Sequence, residues 1–473
     1  MISYRKLAMR VLGHSPVSAV KTARRSTGKR AAALALTAAL VVGMTLPAFA
    51  LPWYIEDGDI SISAGESGND VTQNGKTTKN DTDTVIKSNG SSTASSNTVT
   101  IEAGEGKTVD VTLENVNIDA SSGAAVSVTG KGDTNIELNG NNTLTSSSGY
   151  AGLEHNKTDD SGTLTIQDEK NDDGSAKGGA SDTTGSLTAN GGYHSAGIGG
   201  SDGHDGQATI TGGEITATGG NGGAGIGGGA GDTDAVGGDG DVTISGGTIT
   251  ATGGSLGAGI GGGAYGNGTV TITGGDITAK ATGRYGAGIG GGYGAIPKDT
   301  LIGGNGTVTI SGGTITEASG GYMAAGIGSG FQGLGTVTIE GDAVIKNAQG
   351  GKAGAGIGSG TRGDSEIIIR GDAVIENAES SANGAGIGAG QGSLRDNIST
   401  VGKVTIEGNA KIENAKSGSG GSGIGGGFIG IGNVIIRGNA QIGNATGGEE
   451  GAGIGGGALG TGDVTIEGNV TIE

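Results

Sequence analysis

A four-residue phrase, Ala/Ser-Gly-Ile-Gly, limits what this chain can fold into. Its isoleucine recurs at Ile198, Ile226, Ile260, Ile289, Ile327, Ile357, Ile387, Ile424 and Ile454, at intervals of 28 to 38 residues. Ala151-Gly152-Leu153 and Ala124-Ala125-Val126 are weaker upstream relatives. Self-similarity at such a period is the mark of stacked repeats. Between the phrases lies a second pattern, seen in Val242-Thr243-Ile244, Gly246-Gly247 and Thr248-Ile249-Thr250-Ala251. Apolar and polar residues alternate over three or four positions, which is a short strand. Each unit therefore holds three short strands separated by glycine-rich corners. No helical periodicity appears beyond residue 50.

Three such strands cannot bury their own Ile, Val and Ala side chains. Stacking units one strand spacing apart, about 4.8 Å, buries those side chains in one column and pairs the backbone. The expected fold is all-β: a right-handed parallel β-helix of about eleven coils. Composition agrees. The chain has 111 Gly, four Pro and 3% aromatics, without a collagen period, so its interior must be thin and built of small aliphatic residues. Three units are longer, and the extra residues 230–240, 295–305 and 391–402 fall at one corner, where insertions bulge outward.

Two columns test the register. Glu340, Arg370, Glu407, Arg437 and Glu467 alternate in sign coil by coil, as adjacent strands favour. Asn347, Asn377, Asn414 and Asn444 suit an internal or corner amide ladder. Earlier units lack both columns, so two subfamilies join near Thr336.

The ends differ from the array. Residues 1–50 carry eight Lys and Arg and no Asp or Glu, an apolar run from Ala31 to Met44, and Pro47-Ala48-Phe49-Ala50. These are the parts of a secretory signal peptide cut after Ala50, and a secreted or cell-surface location is expected. Residues 51–95 are polar and hold Trp53, as a first strand or cap ahead of repeats spanning 96–473. The sequence ends at Glu473 directly after a strand. The expectation is a piece of a longer surface protein, or a last coil that packs on something.

Chemistry is sparse. Without cysteine there is no disulfide framework. Removing the basic leader leaves 20 basic against 47 acidic residues, which argues against nucleic acid as a partner. No membrane partner is expected after leader removal. His155, His194 and His204 form no recognisable catalytic pair, though His194 and His204 lie near Asp202 and Asp205. A polar corner is the plainer reading. Asp232, Asp234, Asp239 and Asp241 share one loop with oxygen ligands suited to calcium, but the calcium-repeat pattern of secreted solenoids breaks at Val242. No metal is assigned, no cofactor is expected and no catalytic residue is nominated. Thr-x-Thr pairs such as Thr269 and Thr271 are read as ordinary strand formers.

The aromatic residues carry the sharper expectation. Past residue 50, and besides Trp53 and Tyr54, there are eight, each within five residues of a phrase centre. Besides Tyr150 they are Tyr193, Tyr265, Tyr285, Tyr293, Tyr322, Phe331 and Phe428. With glycine at the outward positions of the phrase, the expectation is a bare backbone groove edged by these seven rings, able to hold a sugar chain. The competing reading is that glycine permits a tight coil and the rings cover its corner.

The sequence resembles the glycine-rich β-strand-repeat and carbohydrate-binding-domain surface proteins of Gram-positive anaerobic bacteria. The resemblance rests on residues 97–113, on Gly-Ala-Ala-Val-Ser-Val and Leu-Asn-Gly-Asn-Asn-Thr-Leu within 123–145, and on the Gly-Ala-Gly-Ile-Gly-Gly-Gly array. It covers most of 97–473 and implies a right-handed β-helix, export and polysaccharide or cell-wall glycan binding. A wall-sorting signal and an accompanying catalytic module do not appear in the sequence. The expected function is a non-enzymatic extracellular binding or adhesion module. The alternatives are an inert stalk of a larger surface protein, or a β-helix polysaccharide lyase, which would need calcium and a placed Arg or Lys base.

Overall fold

A computed structural model describes residues 52–168, 185–231, 238–294 and 304–473. The leader at 1–50 lies outside the described residues. The alternation around Val242 and Ile249 becomes the strands Gly240–Ile244 and Thr248–Gly253, and the phrase supplies the two-residue strand Ile260–Gly261. Each runs parallel to its counterpart one coil on: Val242 beside Val270, Ile249 beside Ile277, Ile260 beside Ile289. Repetition gives three sheets of 14, 13 and 15 strands, named here the Val-Thr-Ile, Thr-Ile-Thr and Ile-Gly faces. The described chain is a right-handed parallel β-helix, and its one helical element is the 3-10 turn Ile55–Asp57.

The three faces enclose one column of side chains. Val242, Ile244, Ile249, Ala251 and Ile260 are each at most 1% exposed, and the same holds one coil on at Val270, Ile272, Ile277, Ala279 and Ile289. Burying each isoleucine stabilises by roughly 1.5–3 kcal/mol, and the stack repeats that gain at every coil. Among the described residues, leucine enters the column only upstream, at Leu113, Leu138, Leu144, Leu153, Leu164 and Leu187. Leu153 stands beside both Val126 and Ile198, so the weaker phrases are coils of the same helix. Two strands ahead of them, Ile60–Ala64 and Val99–Ala103, belong to the same parallel run.

The N-terminal segment finishes the Ile-Gly face with two antiparallel strands, Asn69–Gln73 and Lys76–Asp81. The outer one is polar throughout, as an unpaired sheet edge requires. Trp53 packs against the core and donates from Nε1 to Asp81 Oδ2 at 2.9 Å.

Both columns stack as the spacing expects. Arg370 meets Glu340, and Arg437 meets Glu407, each with N···O distances of 2.5 Å. Arg437 also stands beside Glu467 in register. The amide ladder donates coil to coil, Asn377 to Asn347 at 3.3 Å, Asn414 to Asn377 at 3.1 Å and Asn444 to Asn414 at 3.0 Å. Its place is corrected, however: it lies on the outer surface, with Asn347 and Asn444 exposed. Ile277 faces Ile315, but Thr278 faces Glu317, so Thr316 is one residue more than the preceding coil holds. Later coils keep that extra residue, and the bulge turns Asn347 and its successors outward. The two subfamilies therefore join at this bulge, ahead of Thr336.

Of the three long corners, 391–402 is wholly described. It projects from the rod as a small loop held by an antiparallel bridge between Ser393 and Ile398, with Leu394 66% exposed. The other two lie partly outside the described residues.

R370E and R437E each place like charges in neighbouring coils. Each is expected to lower the melting temperature modestly, by no more than about 1 kcal/mol of stability. The loss should grow at low salt, where exposed charges are least screened. Thermal melts of both variants across an ionic-strength series check this.

Candidate functional site

The phrase forms a closed corner. In one coil the Ala258 amide donates to Gly262 O at 2.8 Å, wrapping the chain around Gly-Ile-Gly. The glycine after the isoleucine has a positive φ at every repeat, for example +130° at Gly227 and +125° at Gly261. This turns the chain back on itself, and the segments before and after the strand meet above it. Ala230 donates to His194 O, Ala264 to Gly222 O, Tyr293 to Leu256 O, and Phe331 to Tyr285 O, at 2.7 to 2.9 Å. The same clasp continues from Thr361 to Met323 and from Phe428 to Asn383.

The expected bare groove is therefore absent from this face. Residues 222–230, glycines included, are buried. Glycine is required because backbone fills the space: a Cβ on Gly227 would lie 2.0 Å from Gly261 O, and one on Gly261 2.1 Å from Gly290 O. Sequence alone separated outward from inward positions correctly, but it could not show that the outward side is covered by the chain's own flanks.

The rings ride on this clasp, and the seven candidates separate. Tyr265, Tyr285, Tyr293 and Phe331 gather into one cluster. Tyr285 and Tyr293 lie 4.8 Å apart, Tyr265 and Tyr293 5.3 Å, Tyr285 and Phe331 5.4 Å, and Tyr293 stacks on Phe331 at 6.0 Å. All four are half-buried. Burial, reinforced by Tyr265 and Tyr285, pushes the Tyr293 hydroxyl above its ordinary pKa. Tyr322 stands beside the cluster and is 46% exposed, with the Arg284 guanidinium 5.5 Å and the Lys352 ammonium 5.8 Å from its ring centre. Arg362 lies 5.9 Å from the Phe331 ring and is ion-paired to Asp396. Tyr193 is apart, stacked on His194 at 4.1 Å, and Phe428 sits alone over Gly420.

The polar corner near His204 holds no metal constellation. Among the described residues no three His, Asp or Glu side chains converge. His194 Nδ1 approaches Asp202 Oδ1 at 3.4 Å, and His204 Nδ1 faces Ser201 Oγ and Asp202 O. Of the aspartates considered for calcium, Asp232 and Asp234 lie outside the described residues. Asp241 is ion-paired to Lys157 at 2.5 Å, and Asp239 accepts from the Asn267 amide at 2.7 Å. That last bond belongs to a ladder missed from sequence. Asp205, Asp239, Asn267 and Asn305 each accept the backbone N–H of the corner one coil on. Uneven insertions hid its period; the signal was the Asp-Gly or Asn-Gly before each Val-Thr-Ile strand.

Glu154 and His155 are the buried titratable pair. Glu154 is 8% exposed, accepts from Ser127 Oγ at 3.3 Å, and its Oε2 has no partner. Burial raises its pKa, and burial lowers that of His155, whose Nδ1 lies 3.2 Å from Gln207 O.

Two tests follow from these geometries. G227A should unfold the coils around it, because backbone must move to admit the methyl group. G203A, with φ of +79° and open space around it, should cost about 1–2 kcal/mol of strain alone. Melting and limited proteolysis distinguish them. For the buried pair, the raised Glu154 favours the fold when protonated, and that contribution fades as pH rises through its folded pKa. The lowered His155 contributes above its ordinary pKa and loses this as pH falls. E154Q should therefore melt above the unmodified chain at pH 8 and no differently near pH 4.

Five segments, residues 185–202, 209–230, 242–264, 270–293 and 308–331, match a family model described as a beta helix repeat. No curated protein and no solved structure shows significant similarity to the chain. The matched segments fall on consecutive coils of the three parallel sheets, and the chain is accordingly a β-helix repeat protein.

Proposed function

We propose that this chain is an exported, non-catalytic binding module of the cell surface or its surroundings, and that its ligand is a polysaccharide. The supporting observation is the contact of Tyr265, Tyr285, Tyr293 and Phe331 on the clasp, with Tyr322 exposed beside them. Contiguous half-exposed rings on a rod otherwise nearly free of aromatics mark an interaction surface. Ring faces suit the apolar faces of sugars, and coils stacked about 4.8 Å apart suit an extended chain. The basic and apolar leader supports export. A second reading, an inert stalk, draws on the closed clasp, since rings that pack on one another also seal a corner.

Replacing Tyr285, Tyr293, Tyr322 and Phe331 together by Ala separates the two. For a binding module, retention on immobilised polysaccharide falls by about tenfold or more, with little change in melting. Y322A alone, at the most exposed of these four rings, should weaken retention with no change in melting. For a stalk, melting drops in the fourfold variant and any retention persists. If no polysaccharide retains the unmodified chain, the stalk reading takes its place.

A further inference from the structure

The clasp loops are not chemically uniform along the rod. In a chain with 47 acidic residues, segments 253–268, 281–294, 319–335 and 349–363 contain no Asp or Glu. They hold Arg284, Lys352 and Arg362 together with the aromatic cluster and Tyr322. Segments 219–231, 380–395 and 416–432 are also free of Asp and Glu, and acids stand in the outer clasp loops, at Asp202 and Asp205 upstream and at Glu449 and Glu450 downstream.

Within this stretch three side chains form one column. Arg284, Tyr322 and Lys352 each stand five residues before the phrase isoleucine of their coil, at Ile289, Ile327 and Ile357. Backbone bonds tie these positions coil to coil: Met323 donates to Arg284 O at 2.7 Å and Ala353 to Tyr322 O at 3.1 Å. Both cations lean over the central ring. Arg362 is neutralised by Asp396, but among the described residues no carboxylate pairs with Arg284 or Lys352. Two unpaired cations two coils apart are separated by about 9.6 Å along the rod, with an exposed ring between them.

Building on the polysaccharide reading above, we propose that this column selects an acidic polysaccharide with anionic groups on alternate sugars. Arg284 and Lys352 take successive carboxylate or sulfate groups, and the exposed edge of Tyr322 borders the uncharged sugar between them. Two coils are close to the length of a disaccharide unit in an extended chain. A guanidinium fits a carboxylate or sulfate through paired N–H donors, while an ammonium acts as a point charge. Acidic residues elsewhere in the clasp loops, such as Asp202, Asp205, Glu449 and Glu450, repel the same ligand.

The test uses the full chain freed of its leader, on immobilised hyaluronan, chondroitin sulfate, polygalacturonate, neutral dextran and a duplex DNA. Retention is expected on hyaluronan, where carboxylates alternate, and on chondroitin sulfate, which adds sulfate; the comparison separates the two anions. R284Q/K352Q should lose roughly tenfold or more in retention on both, with melting unchanged, and R284K/K352R should restore most of it. Added salt should weaken retention of the unmodified chain. Equal retention on polygalacturonate, which is charged at every sugar, overturns the alternation. Retention on DNA as strong as on hyaluronan overturns polysaccharide selectivity. If dextran retains the chain and R284Q/K352Q changes nothing, this inference falls and the broader binding reading stands. If no polysaccharide retains it, both fall.

Discussion

Everything in this molecule depends on how closely its backbone approaches itself at Gly-Ile-Gly. A single methyl group on Gly227 or Gly261 would sit 2.0 or 2.1 Å from a carbonyl oxygen, far inside van der Waals contact. Glycine here is a packing requirement first and a conformational one second. Because it has no side chain, the strand can be two residues long, the chain can fold back at once, and the two flanks can hydrogen-bond above it. The isoleucine between the glycines then faces only inward, and its ladder runs fully buried from Ile198 to Ile424.

This arrangement divides labour between the two sides of the corner. Inside, the column is built mainly of Ile, Val, Ala and Leu of fitting volume, with Thr134 and Asn142 as buried polar exceptions upstream, since interiors are close-packed. Outside, the clasp is made by backbone groups, so its side chains are not needed to hold it. The position five residues before each isoleucine shows the freedom: Tyr193, Asn221, Ser255, Arg284, Tyr322, Lys352, Ala382, Ser419 and Glu449 in succession. A rigid interior thus presents a line of interchangeable groups at constant pitch, which suits a surface that engages long, repetitive molecules.

The fold was largely legible because its signals are periodic. The phrase isoleucines, the Glu–Arg alternation and the Val-Thr-Ile alternation each named a column, and register follows when one column is fixed. What stayed hidden was aperiodic or made by backbone. The clasp joins segments whose side chains differ at every coil, so no pattern marks His194 and Ala230 as neighbours. The Asp205 to Asn305 ladder was broken up by insertions of unequal length. Phe428 shares the sequence offset of Tyr293 and Phe331, four residues after the phrase isoleucine, yet neither adjoining coil carries a ring to meet it. The pairing of Tyr322 with Arg284 and Lys352 needed the stack itself, because basic residues at those places look like ordinary surface charge.

The bulge at Thr316 has a meaning for the history of the array. Coils before it carry Ile-Thr-Ala, and coils after it carry one residue more between Ile and Ala. A unit copied within its own half lands beside neighbours of equal length and pairs at once. A unit moved across the boundary meets a mismatch above and below, creating two more irregular junctions of the kind the rod contains here. A coil added within either half would therefore fit its neighbours, and one added across the bulge would not.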